Sequence, residues 1–147
     1  VPSLDHTFCG RAEIISNGEN SGIEFKRDDI RPEQLAKEIV ALVNFQGGRI
    51  LLGVEDDGSI SGIQRENAEE WVMNVVHDKV HPTVLPYYEK VKIDDERYVA
   101  VLMVPTGISK PYVVRHSGRE DIYIRVGSTS QIATREQQMR LWSGVGI

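Results

Sequence analysis

Gly47-Gly48-Arg49-Ile50-Leu51-Leu52-Gly53-Val54-Glu55-Asp56-Asp57-Gly58 is the stretch from which the rest of the chain is read. Residues 50–54 have no polar side chain and no apolar/polar alternation, the pattern of a strand covered on both faces. The glycine pair before it suits a turn out of a helix, because glycine accepts the left-handed backbone of a C-cap. The segment is therefore predicted to be the central strand of a sheet flanked by helices. Asp56 stands where that strand meets solvent.

Upstream, residues 23–27 alternate, with Ile23 and Phe25 on one face and Glu24 and Lys26 on the other, a short strand with a polar face. Pro32 suits a first helical turn, and Leu35, Ile39, Leu42 and Val43 recur at helical spacing, so a helix is predicted over 32–45. Downstream, Asn67 with Glu70 reads as a capping box, and Val72, Val75, Val76 and Val80 form the inward stripe of a second helix ended by Pro82. From Tyr87 the period changes to two. Strands are predicted at 88–93 and 98–104 about a polar turn at 94–97, and at 111–115 and 122–126 about Ser117-Gly118. A short helix over 136–142 closes the chain.

The order predicts an α+β single domain: one mixed β-sheet with two main helices and a short C-terminal helix. Residues 1–18 read as an N-terminal extension, 19–142 as the domain and 143–147 as a tail.

A chain of 147 residues, 40% hydrophobic and 27% charged, suits one domain with a sizeable core. No apolar run reaches the roughly 18–20 residues of a membrane span and no signal peptide is evident, so a cytoplasmic location and no membrane partner are expected. The Val-Pro start without Met reads as an excised domain. The single cysteine, Cys9, rules out an internal disulfide framework.

The net charge of −5 weighs against an acidic partner, but its distribution is uneven. Residues 1–96 hold 10 Lys and Arg against 19 Asp and Glu, whereas residues 97–147 hold 7 against 3. This describes either a basic face beside an acidic one or an ordinary solvated surface.

In an extended strand, Ile50, Leu52, Val54 and Asp56 share one side. If the segment bearing Glu19 and Glu24 is its neighbour, three carboxylates converge on one site, the donor set of a hard divalent cation such as Mg²⁺ or Mn²⁺. Spacing alone fits better a solvated Glu24/Lys26 face and a plain Asp56-Asp57-Gly58 turn. His77 and His81 have zinc-like spacing but no patterned co-ligands, and a helix C-terminus accounts for them. The glycines carry neither a Walker nor a Rossmann fingerprint, so no nucleotide or organic cofactor is expected. In the basic half, Tyr123 and Arg125 are placed together on an outward strand face, followed by the small, hydroxyl-rich run 127–131. That combination suits a phosphodiester chain, and equally a surface pair followed by an ordinary turn.

Four pieces in order carry a resemblance: Glu19-x4-Glu24-Phe25-Lys26, Ala41-x2-Asn44-x2-Gly47-Gly48, Gly53-Val54-Glu55-Asp56-Asp57-Gly58 and Tyr123-Ile124-Arg125-Val126-Gly127-Ser128. From Glu19 to Trp142 the chain resembles the Schlafen-type AlbA-like DNA-binding domain family. The resemblance implies a module that binds DNA or RNA, often the N-terminal part of prokaryotic transcriptional regulators or helicase-related proteins. In animal Schlafen members, two glutamates and an aspartate form a metal-dependent site that cleaves structured RNA, especially transfer RNA. The matching positions are Glu19, Glu24 and Asp56, which would be both metal ligands and catalytic residues of an endoribonuclease. Lys26, Lys110, Arg115, Arg119, Arg125 and Ser128 are the expected nucleic-acid contacts. The animal nucleases pair two such modules, and 98–104 is expected near a sheet margin, so a symmetric homodimer is expected.

Overall fold

Helical apolar spacing and a run of residues without polar side chains build the first unit of the fold. The computed structural model of the chain describes residues 20–144. In it β1 (Ile23–Lys26) and β2 (Gly48–Leu52) lie parallel, joined by α1 (Pro32–Asn44). Pro32 opens α1, where its missing N–H has no partner to lose. Gly47 closes the turn after it: at φ +74° its N–H donates to the Leu42 carbonyl at 2.8 Å. A Cβ there would lie 2.5 Å from the Val104 carbonyl oxygen, so the turn requires glycine for space as well as for backbone shape.

Then follow α2 (Ala68–Lys79), β3 (Val80–His81), β4 (Tyr87–Lys92), β5 (Tyr98–Val104), β6 (Val113–His116), β7 (Arg119–Asp121), β8 (Tyr123–Val126), β9 (Thr129–Ile132) and α3 (Arg135–Ser143). The main sheet is four-stranded and mixed, in the order β1-β2-β5-β4, with β5 antiparallel to both of its neighbours. One face packs Ile50, Leu52, Ala100 and Leu102 with Leu35, Ile39 and Leu42 of α1 and Val72 and Val76 of α2. The other face carries Phe25, Leu51, Val91, Val99 and Val101, which are buried too. Burial on both sides is why β2 lacks alternation.

The alternation breaks at Gly53. At φ +94° this residue donates its N–H to Lys26 O at 2.8 Å, and its carbonyl accepts the Ser61 and Gly62 N–H groups, each at 2.9 Å. The turn sends Val54 to the Phe25/Leu51 cluster instead of the Ile50/Leu52 side. Ile50, Leu52, Val54 and Asp56 therefore do not share one side, as simple alternation predicted.

The α+β class and the helices match the sequence reading, but the second half departs from a single sheet. β3-β6-β7 form a three-stranded sheet and β8-β9 a two-stranded one. The pairing expected between 111–115 and 122–126 is replaced by two local hairpins. Ser117 (φ 51°) and Gly118 (φ 78°) are both left-handed, a two-residue loop that joins the nearest flanking residues and leaves no reach to a more distant strand. The strand at 98–104 is interior, and the margins are β1 and β4. The capping box expected at Asn67 does not form, because Asn67 is left-handed (φ 52°) and its side chain caps nothing. The approach to α2 is fixed instead by Asp28, whose carboxylate accepts the Gln64 and Arg65 N–H groups at 2.9 and 2.7 Å.

The two halves are joined at Asn44. Its buried amide donates to the carbonyls of Tyr112 and Tyr123, both at 2.9 Å, and its carbonyl accepts the Tyr112 N–H at 2.7 Å. Among the described residues no helix is long and apolar enough to cross a membrane. The expected extension 1–18, Glu19 at the start of the expected domain, and residues 145–147 lie outside the described residues.

Candidate functional site

Both sides of β8 are covered. Ile124 packs with Ala133 and Leu141 of the C-terminal segment, and Tyr123 against the main core. Arg125 accordingly points inward, and its side chain is 0% exposed. This corrects the expectation that Arg125 lies on an outward face against phosphate.

Its guanidinium is fully engaged within the fold. Nη1 lies 2.6 Å from Glu24 Oε2 and 3.3 Å from Glu38 Oε2, and donates to Ser130 Oγ at 3.1 Å. Nε donates to the Ser21 carbonyl at 3.2 Å, and Nη2 to the carbonyls of Asn20 and Ile23 at 2.7 and 3.1 Å. Ser130 Oγ in turn donates to Glu38 Oε2 at 2.7 Å. Glu24 Oε2 receives no aligned hydrogen bond despite its close approach to Nη1, so that contact is one of charge. Its other oxygen, Oε1, lies 3.2 Å from Lys26 Nζ.

Two buried carboxylates thus share two cations. Burial first, and then the neighbouring Glu24, push the Glu38 carboxyl above its ordinary value, against the pull of Ser130, Lys26 and Arg125. Glu24, read from sequence as part of a solvated polar face, is 5% exposed because that face of β1 lies beneath α1 and β8.

Of the three carboxylates considered for a metal, Glu19 is outside the described residues. Asp56 is exposed, beyond the Gly53 turn. The positive charge beside Glu24 is supplied by Arg125 and Lys26. Among the described residues no three of His, Cys, Asp or Glu are grouped to hold a metal ion. The site shown is therefore a charge-compensated knot that can orient β1, α1 and β8. Of its charged groups, Lys26 is the one 30% exposed.

The remaining expected contacts lie on the surface of the second half. Arg115 pairs with Glu120 directly across the β6–β7 hairpin, and Arg119 with Asp121 at 3.0 Å. Ser128 is exposed in the β8–β9 turn. Lys110 is partly buried, and its Nζ donates to the Phe45 carbonyl at 2.7 Å, capping the end of α1. Tyr123 does have a cation beside it, but this is Lys37 of α1, 5.7 Å from the ring centroid. Burial raises the Tyr123 hydroxyl above its usual value.

Sequence reasoning missed Glu38, Lys37 and the role of Asn44. Glu38 had a signal: it falls between Leu35 and Leu42 on the inward stripe of α1, where a carboxylate needs a counter-charge. Lys37 had none, since its partner arrives from a strand far along the chain.

Residues 19–134 match the family model described as Schlafen, AlbA_2. The chain belongs to the Schlafen AlbA_2 family. Two solved structures show the same fold as this Schlafen AlbA_2 domain. The DIP2311 protein of Corynebacterium diphtheriae superposes with a TM-score of 0.63 at 16% identity, over 86% of this chain and 24% of its own. This chain therefore spans about a quarter of that protein. The N-terminal domain of a RecG-related protein of Nitrosomonas europaea, named for its relation to an ATP-dependent DNA helicase, superposes with a TM-score of 0.57 at 19% identity, over 89% of this chain and 90% of its own. No curated protein sequence matches the chain.

Proposed function

We propose that this Schlafen AlbA_2 domain binds DNA or RNA, as the N-terminal module of a transcriptional regulator or helicase-related protein. The observation that carries the reading is the family match over residues 19–134, which contains every basic residue assigned to the interface. The name of the N. europaea relative, a RecG-related protein, supports it.

On this reading the contact surface joins Arg115 and Arg119 on the exposed hairpin and Ser128 in the next turn with Tyr123 and, from the first half, Lys37 of α1 and Lys26 of β1, together with the partly buried Lys110. Arg115 and Arg119 each have a carboxylate partner in an exposed setting. Exchanging such a partner for phosphate costs little, because exposed ion pairs contribute only about 0–1 kcal/mol. A symmetric dimer would double this surface; light scattering of the protein alone and with nucleic acid tests it.

Fluorescence anisotropy with labelled DNA and RNA across a salt series tests the binding. Affinity should fall steeply with salt, and replacing Arg115 and Arg119 together by Ala should flatten the slope by about 0.7–0.9 for each phosphate no longer neutralised. Salt-insensitive binding, or a double variant that binds as the parent does, removes the hairpin from the interface. Incubation with transfer RNA and Mn²⁺, with EDTA as control, tests the second activity implied by Glu19, Glu24 and Asp56. Metal-dependent cleavage abolished in Asp56→Ala would establish a nuclease; intact RNA with binding retained leaves a binding module.

A further inference from the structure

Between the end of α1, the loop that follows β5 and the last turn of α3 lies a cleft of about 660 Å³. Its walls include Phe45, Gln46, Thr106, Lys110, Trp142 and Ser143. None of its lining residues is acidic, in a chain whose net charge is −5. Trp142, 74% exposed, stands on this wall and also borders a neighbouring cleft with Arg115 and Glu120, and Ile108, which lines the first cleft, is 97% exposed.

The chain holds two tryptophans, and they are treated differently. Trp71 is covered by the Arg65 guanidinium, 3.7 Å from its ring centroid. Among the described residues Trp142 has no such cover, although an indole is among the most costly side chains to leave in water. It lies outside the matched residues 19–134 and belongs to a short helix whose buried contribution is Leu141. A flat aromatic wall, hydroxyl and amide groups at Thr106, Ser143 and Gln46, and one ammonium match a flat heterocycle attached to an anionic chain. The Lys110 ammonium also offsets the carbonyls at the end of α1, which would otherwise repel the anion.

We propose that this cleft receives one unpaired base of a single-stranded nucleic acid, stacked on Trp142, with the phosphodiester chain passing Lys110. The inference rests on the nucleic-acid reading above and narrows it to single strands, loops and ends. A paired base within a duplex stays stacked on its neighbours and presents no face to the indole. Of the remaining edge groups, the Gln46 amide and Thr106 hydroxyl can donate or accept, and the Ser143 hydroxyl, which donates to the Arg140 carbonyl at 3.0 Å, can accept, a set that tolerates any base.

The test uses the Trp71→Phe protein, in which Trp142 is the sole tryptophan, and labelled uridine, thymidine and duplex oligonucleotides. Binding is followed by anisotropy of the label and site occupancy by Trp142 emission. Single strands should quench Trp142 with the same midpoint as the anisotropy change, and the duplex should not. Trp142→Ala should weaken single-strand binding about tenfold, the effect of removing one stacked base, with an unchanged melting temperature. Binding by anisotropy without a change in Trp142 emission, or equal quenching by the duplex, overturns the cleft assignment and leaves the nucleic-acid reading in place. No binding of any oligonucleotide overturns both.

Discussion

Arg115 and Arg125 stand ten residues apart in the same basic half, yet one is 56% exposed and the other is 0% exposed. Arg115 meets one carboxylate across a hairpin that water reaches freely. Arg125 meets two carboxylates, a hydroxyl and three backbone carbonyls, with α1 and β1 closed around it. Both sit in short alternating strands, so charge and periodicity do not distinguish them. What differs is whether a second element covers the strand face that carries the cation. The first arginine can exchange partners with a ligand, and the second cannot leave without stranding Glu24 and Glu38.

The contrast is tested most severely by Arg125→Met. Two buried carboxylates would lose the buried cation that touches both and be left with the half-buried Lys26, and urea unfolding should show a drop of about 3–5 kcal/mol in stability. Arg125→Lys should recover only part, because an ammonium lacks the planar fork that reaches Ser21, Asn20 and Ile23 together. A drop under about 1 kcal/mol would put Arg125 on the same footing as the exposed hairpin pairs.

Asn44→Ala comes next. Two buried hydrogen bonds and one partly buried one disappear, and their backbone partners at Tyr112 and Tyr123 are left unsatisfied, for an expected cost of about 2–3 kcal/mol. Hydrogen exchange at the Tyr112 amide should accelerate more than exchange in β2. Uniform acceleration would mean that Asn44 is not a local joint between the halves.

Glu38→Gln has a smaller effect, read through pH. The folded-state pKa of Glu38 lies above its ordinary value of 4.5, so the folded state takes up this proton more readily than the unfolded chain. The contribution of Glu38 to stability is fully present below 4.5 and is lost as pH rises through the raised folded value. Unfolding free energies of parent and Glu38→Gln should therefore diverge in the parent's favour as pH falls through that window. A difference independent of pH would show that the carboxyl is not perturbed.

Arg115→Ala should change stability by no more than about 1 kcal/mol by the same urea measurement. A larger effect would mean that the hairpin pair is structural, which would blur its separation from the Arg125 knot.

Much of the architecture was readable because it rests on short-range signals. The run at 50–54, the Pro32 helix, the Gly47 turn and the 94–97 hairpin each announce themselves within a dozen residues. Two things were not readable. The split of the second half into two hairpins depends on how tightly Ser117-Gly118 and Gly127-Ser128 close, and alternation across 111–132 is compatible with either pairing. The inward turn of Arg125 depends on α1 lying over β8, a meeting of residues nearly ninety positions apart for Glu38. An Arg beside a Tyr on a short strand looks like a surface patch until the element above it is known. The same limit applied to Glu24, whose alternating, charged neighbourhood described a wet face that α1 in fact covers.

Arg125 also sets an order on synthesis. Its guanidinium grips Asn20, Ser21 and Ile23, more than a hundred residues earlier. Chains leave the ribosome N-terminus first, so β1 and α1 emerge carrying Glu24, Lys26 and Glu38 well before Arg125, the buried cation that both carboxylates touch, exists. The β1–α1–β2 unit cannot bury that pair at low cost until β8 and Ser130 have emerged. A nascent chain halted before residue 125 should therefore remain open to protease along β1, and protection should arrive in one late step. The arginine thus acts as a completion check: the first strand locks when nearly the whole domain is present.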